Sequence, residues 1–375
     1  MDWSQLVVPS LRSLNPYRPG ITEEKLRRDT GLSEIFKFSS NEAPVPPSPA
    51  VAAAMRDALA QANRYPDAQD LLDKLGQHLR VPAGHLVLGN GSIDVIASLV
   101  RTFVSRERNV VLSEFGYCAY PEFVKEQGAT VRLAASGRHF GHDVERLLTT
   151  IDSRTSMVLV DSPTNLSGHA LTARELGYLI DYLPDHVLLV LDEAYAEFTD
   201  ADAPRETEQL PLRHPNVVVT RTFSKAYGLA GLRIGYGIAD AGLIGWLNRI
   251  RPPFPVSRMA LAGASAALDD RAHVEHIVAL ARDGRRVLVD ALDAMNIVVL
   301  KGSANFVLAN FGRAARRVYE GLLARGFITR AMHAYGLPTH IRISVGTPRE
   351  VEQLVTEMQH LLRPTPSVHA TVEGL

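Results

Sequence analysis

A chain of 375 residues that is 46% hydrophobic and 22% charged can bury a large core and predicts two domains. Its net charge of −1 argues against nucleic acid or an anionic membrane as partner. The single cysteine, Cys118, excludes an internal disulfide, and no apolar run nears the ~20 residues of a spanning helix, so a cytoplasmic protein is expected.

Residues 1–35 read as an N-terminal arm or short lead-in helix, without the basic stretch and apolar core of a secretion signal. The prolines of residues 39–49 forbid a continuous helix or a central strand there. Gly89-Asn90-Gly91-Ser92 then precedes a helical pattern with Ile93, Ile96, Leu99, Val100 and Phe103 on one face. A glycine turn feeding a helix start offers free N–H groups to a phosphate, although alone it reads more readily as a plain loop with Ser92 as cap. Residues 157–160, 187–191, 217–220 and 234–238 are short, uniformly apolar runs, as strands buried on both faces of a parallel sheet are. A helical pattern over 172–182 lies between two of them. Together these predict a large α/β domain over residues 36–265. Past that point a long helix (273–294), strand-like 297–300 and 306–309, a helix (314–325) and strand-like 341–345 predict a smaller α+β domain over 266–363, followed by a poorly ordered tail, 364–375.

Ligands in open α/β sheets sit beyond the carboxyl ends of the strands, and Asn165, Asp192 and Lys225 each follow such an end. The run from Arg221 to Arg233 holds Thr222, Ser224 and Lys225, then Gly228, Gly231 and Arg233. A lysine for an aldehyde, an acid for a ring nitrogen and a hydroxyl-and-arginine cup for a phosphate are the three parts pyridoxal 5'-phosphate requires. Asp192 is the candidate acid, with Glu193 as a solvated neighbour on the blander reading; Tyr195 and Asn165 are candidate partners of the ring oxygen. Tyr117 could stack on the ring or simply pack. Arg330 and Arg342, near strand-like segments, could grip substrate anions bidentately or lie on the surface. The 13 histidines show no metal spacing and Cys118 has no cysteine partner, so no metal is expected.

At these motifs the chain resembles the fold-type-I pyridoxal-phosphate aminotransferases of the class-II subfamily, most closely the histidinol-phosphate aminotransferase family. The likeness spans nearly the whole length: Tyr17-Arg-Pro-Gly20, Ser39-Ser-Asn-Glu42, Arg64-Tyr-Pro-Asp67, Leu88-Gly-Asn-Gly-Ser92, Asp192-Glu-Ala-Tyr195, the run from Arg221 to Arg233, and Arg342-Ile-Ser-Val-Gly-Thr347. It implies a mainly parallel central sheet and ping-pong transfer of an amino group from L-histidinol phosphate to 2-oxoglutarate. It also implies that Lys225 carries the cofactor and moves the substrate proton, that Asp192 binds the ring nitrogen, and that Tyr195 and Asn165 bind the ring oxygen. Gly91, Ser92, Thr222, Ser224 and Arg233 become the phosphate cup. Tyr65 is implied to reach the neighbouring subunit's cofactor, in a homodimer with shared sites, while Arg342, Arg330, Tyr17 and Asn41 lie on the substrate side.

The chain departs from the family pattern where Asn41-Glu42-Ala43 replaces Asn-Glu-Asn. It departs again where Ser162-Pro-Thr-Asn-Leu-Ser-Gly168 lacks the proline after Asn165, and at Pro255-Val-Ser257. These changes leave the cofactor residues intact and open the alternative of an aromatic or specialised-pathway amino donor. A decarboxylase of the same fold and a cofactor-binding regulator are further alternatives.

Overall fold

The computed structural model describes residues 1–14, 20–200 and 202–363; Tyr17 and the expected tail lie outside them. The strands are β1 (Phe36–Lys37), β2 (Leu86–Gly89), β3 (Asn109–Ser113), β4 (Thr130–Ala134), β5 (Thr155–Asp161), β6 (Leu188–Asp192), β7 (Val217–Thr222), β8 (Gly235–Ile238), β9 (Val298–Leu300), β10 (Phe306–Asn310), β11 (Phe327–Ile328), β12 (Arg330–Met332) and β13 (Leu337–Ser344). Seven of them form the central sheet in the order β2-β8-β7-β6-β5-β3-β4.

The apolar runs are uniform because alternate side chains feed two separate cores. Val158, Val160, Leu189, Leu191, Val217 and Val219 point into one, and Met157, Leu159, Leu188, Val190 and Val218 into the other. One expectation needs correction. Residues 234–238 form a central strand, β8, but it runs antiparallel to both β2 and β7. Between Thr222 and Gly235 the chain makes only turns and the short 3-10 helix Ala230–Leu232, and without a crossover helix it cannot return to run parallel. The β3 to β7 pairings are all parallel.

Helices begin where the sequence supplies caps. Thr172 and Glu175 form a reciprocal capping box on helix Ala173–Asp181, and Ser48 caps Pro49–Leu59. Helix Ser92–Phe103 starts differently: its first position is preceded by Gly91, at φ 82°, with no side-chain cap among the described residues. Its leading N–H groups therefore stay available.

A second, antiparallel sheet runs β12-β13-β10-β9, covered by helices Arg271–Ala294, Ala315–Leu323 and Pro348–Leu362. β1 pairs with β11, and Phe38 just beyond it packs in the same core as Leu288, Ile343 and Met358. The segment from Ser39 onward is thereby led to the mouth between the two sheets. Among the described residues no helix is long and apolar enough to cross a membrane, and no group of three or more His, Cys, Asp or Glu could hold a metal ion.

Candidate active site

A cavity of about 280 Å³ lies beyond the carboxyl ends of β5, β6 and β7, and Ser92, Tyr117, Asn165, Asp192, Tyr195, Thr222, Ser224, Lys225 and Arg233 all line it. Asp192 ends β6 and is buried, so burial raises its carboxyl to about 7 from the ordinary 3.8; the nearby Asp161 charge adds to the rise, and hydrogen bonds from Tyr120 and Thr220 oppose it. Tyr120 donates its hydroxyl to Asp192 Oδ2 at 2.7 Å and Thr220 donates to Oδ1 at 3.0 Å. Glu193 faces the other way. It is buried and ion-paired with Arg221 at 2.9 Å rather than solvated, and Arg221 also reaches Glu208 at 3.0 Å. That clamp ties the end of β6 to β7 directly behind the cavity.

Lys225 is half-buried, with Nζ donating to the Ser40 carbonyl at 3.0 Å and standing 5.7 Å from the Tyr195 ring centroid. Burial lowers its ammonium to about 8, helped by the positive charges of Arg342 and Arg233 and opposed by Glu42. Below it a polar cup forms. Thr222 donates to Ser224 Oγ at 2.9 Å, and Arg233 Nη1 donates to the same oxygen at 3.3 Å and to the Ala230 carbonyl at 3.0 Å. Gly91 completes the cup, because a Cβ at that position would stand 2.6 Å from Arg233 Nη2. Uncapped amides of a helix start, two hydroxyls and a guanidinium make an anion seat.

Tyr195 is buried, and its oxygen accepts from two amides, Asn41 Nδ2 and Asn165 Nδ2, both at 2.9 Å. With both lone pairs taken, its own O–H is left to donate into the cavity. Asn165 is oriented by Arg342, whose Nη1 donates to its side-chain oxygen at 2.9 Å and its carbonyl at 2.6 Å, and by Tyr335 at 3.3 Å. Asn41 sits in the left-handed region at φ 54° and exchanges hydrogen bonds with Ser344, which fixes its amide on Tyr195. Arg342 is buried over the Phe306 ring, with Nε unpartnered among the described residues.

The remaining sequence candidates lie apart from the cavity wall. Arg330 faces Arg342 across β12 and β13, with Nη1 3.0 Å from where a Cβ on Gly20 would sit. Tyr65 is 78% exposed, stacked on Phe254 at 4.5 Å. The Ser162–Pro163 peptide is cis, and Leu166 is buried against Leu308 and Met332.

Sequence reasoning missed Tyr120, Thr220, Ser40 and Asp161. Tyr120 and Thr220 act only through Asp192, and Ser40 through its backbone, so they carried no signal of their own. Asp161 did carry one, since it ends a uniformly apolar strand just as Asp192 does.

Residues 33–358 match the family described as aminotransferase class I and II. The chain is 38% identical to histidinol-phosphate aminotransferase 1 of Nitrosococcus oceani, over 96% of this chain and 97% of that protein. It is 40% identical to histidinol-phosphate aminotransferase 1 of Thiobacillus denitrificans, over 96% and 94%. The structure of histidinol-phosphate aminotransferase from Sinorhizobium meliloti, in complex with pyridoxal-5'-phosphate, superposes with a TM-score of 0.88 at 30% identity, covering 95% of this chain and 97% of that one. An aspartate aminotransferase of Thermus thermophilus, 21% identical, shares the fold with a TM-score of 0.83 over 95% and 99%.

Proposed function

The chain belongs to the class I and II aminotransferase family, and on that premise we propose that it is a pyridoxal-phosphate-dependent transaminase. Its reaction moves the amino group of L-histidinol phosphate to 2-oxoglutarate, giving imidazole-acetol phosphate and L-glutamate in a ping-pong cycle. The observation that carries the reading is Lys225, a lysine with a lowered proton affinity set between a buried acid and an anion seat in one cavity.

The residues present fit pyridoxal phosphate. Gly91 leaves open the space that a Cβ would deny to Arg233, so the cup accepts a phosphate against Ser92, Thr222, Ser224 and Arg233. Asp192 is the cavity acid for a protonated ring nitrogen, and burial makes such a cationic partner valuable to it. Tyr195 and Asn165 present an O–H and an amide to the ring oxygen, and Tyr117 lines the same cavity as a stacking face. When bound, that group supplies an aldehyde for the lysine and for amino substrates and a ring that takes up the electron pair left at the substrate Cα. Lys225 Nζ, at about 8, is deprotonated often enough near neutrality to take and return the proton of the substrate Cα. Arg342, with Nε free of a partner among the described residues, offers a buried cation to the anionic end of a substrate, with Arg330 beside it.

The same reading makes the protein a cytoplasmic homodimer in which Tyr65, exposed on its own subunit, completes the neighbour's site. A second reading, an aromatic or specialised-pathway amino donor, is favoured by two positions. Ala43 packs toward the apolar cluster of Tyr195, Phe198 and Ile277 and presents hydrocarbon where the family pattern has an amide, while Leu166, buried in another cluster, replaces the proline after Asn165.

A single-turnover spectrum decides. The pyridoxal form is mixed, without keto acid, with L-histidinol phosphate, then separately with phenylalanine, tyrosine and glutamate. Rapid loss of the cofactor band with histidinol phosphate at low concentration is the expected result. Conversion by glutamate but not by histidinol phosphate would leave the transaminase standing and replace the donor. Lys225→Ala is expected to lose the wild-type band and roughly a thousand-fold or more in rate.

A further inference from the structure

Beside Asp192 the cavity holds another buried carboxylate to which none of the roles above is assigned. Asp161 ends β5 beside Asp192 of β6, with which it is in register, and it is 3% exposed. Its Oδ2 accepts the Asn165 backbone N–H at 2.6 Å, a short hydrogen bond to an ionisable acceptor. Its Oδ1 has no hydrogen-bond partner among the described residues, although the residue lines the cavity. His142, also buried, places Nε2 2.8 Å from the Asp161 carbonyl and 3.5 Å from Oδ1, while its Nδ1 meets no partner. Through Nε2 the imidazole holds the strand end in place.

An acid with one satisfied and one unsatisfied oxygen is expensive to bury unless the site uses it. We propose that Asp161 is a further positioning residue of this site, anchoring the Asn165 turn through one oxygen and setting the negative charge at the ring end of the cavity with the other. The inference rests on the cofactor reading given above. Anchoring matters because Asn165 is the junction between Tyr195 and Arg342. The charge matters because burial, and after it neighbouring charge that includes Asp161, holds Tyr120 up, and the same two causes act on Asp192. The titratable groups that face this carboxylate are His142, Tyr120, Asp192, Tyr195 and Tyr335. None of them is a fixed cation; the cation Arg342 acts with Asp161 on Tyr195 and Tyr335.

The test uses Asp161→Asn and Asp161→Ala in the full-length holoenzyme, with the bound-cofactor absorbance followed against pH. Asparagine keeps an acceptor for the Asn165 N–H but removes the charge. Loss of a nearby anion disfavours protonated forms, so the spectroscopic midpoint should fall by about one pH unit, with cofactor retention unchanged. Alanine also orphans the Asn165 N–H, and should shift the midpoint similarly while speeding loss of the cofactor roughly ten-fold. An unshifted midpoint in Asp161→Asn overturns the charge role, and unchanged retention in Asp161→Ala overturns the anchoring role. A wild-type protein that binds no pyridoxal phosphate would overturn the cofactor reading itself, and with it this inference, a failure seen before any variant is compared.

Discussion

Two residues of the cavity are held away from their ordinary protonation, in directions that oppose each other with pH. Asp192 is raised to about 7 from 3.8, first by burial, so the folded protein holds a proton that the unfolded chain releases. Stability tied to it is present below about pH 4 and is lost as pH rises toward 7. Lys225 is lowered to about 8 from 10.5, again first by burial, so the unfolded chain binds the extra proton and stability is lost as pH falls through that window. In cofactor-free protein, Asp192→Asn should therefore raise the urea midpoint at pH 8 and leave it nearly unchanged at pH 4. A difference between variant and wild type that is flat with pH would show that burial does not hold this proton. Adding pyridoxal phosphate should reverse the sign, because the wild-type acid gains a cationic partner that asparagine cannot serve.

At the scale of elements, the site depends on β8 passing close against the start of helix Ser92–Phe103. Gly235 allows it: a Cβ there would strike the Ser92 nitrogen and stand 2.8 Å from the Gly91 carbonyl carbon and 2.9 Å from the Arg221 oxygen. All three are backbone atoms, which cannot swing aside. Gly235→Ala should lower stability by about 1–3 kcal/mol in urea unfolding and weaken pyridoxal phosphate binding in the same protein. A stability loss with unchanged cofactor affinity would mean that the helix start is not the phosphate seat. Much of this level was legible in the sequence. Residues 172–182 read as a helix by their pattern, and the structure adds the Thr172–Glu175 cap at its start; the apolar runs read as buried strands because two cores claim alternate residues. The direction of β8 was not legible from its own residues, since a strand buried on both faces looks alike in either orientation. Only the short connection carrying Lys225 settles it. In the site, Lys225, Ser224 and Arg233 were legible because they share one continuous segment. Thr220 and Asp161 reach Asp192 through the register of neighbouring strands, and Tyr120 through the start of helix Tyr120–Glu126, so none of them shares a segment with Lys225.

The whole molecule leaves one cofactor candidate unaccounted for within a single chain. Tyr65 does not line the cavity of its own subunit; it is 78% exposed, yet it is not loose. Its ring stacks on Phe254 at 4.5 Å, itself 54% exposed and held at φ 53°, and Arg258 donates to its carbonyl at 2.7 Å. An aromatic pair fixed in place at the surface is suited to meet another molecule. If that molecule is a second copy whose cavity Tyr65 completes, each site draws Lys225 from one chain and Tyr65 from the other. Tyr65→Ala and Lys225→Ala homodimers should then both be impaired, while a mixed dimer holds one site with both native residues. Co-expressed, differently tagged and purified as heterodimers, the pair should recover about half of wild-type turnover per dimer, provided the two sites work independently. Were Tyr65 instead to serve its own subunit, the heterodimer would have no site with both residues intact on the chain that needs them beyond what each parent has, and its rate would stay at the mean of the two homodimers.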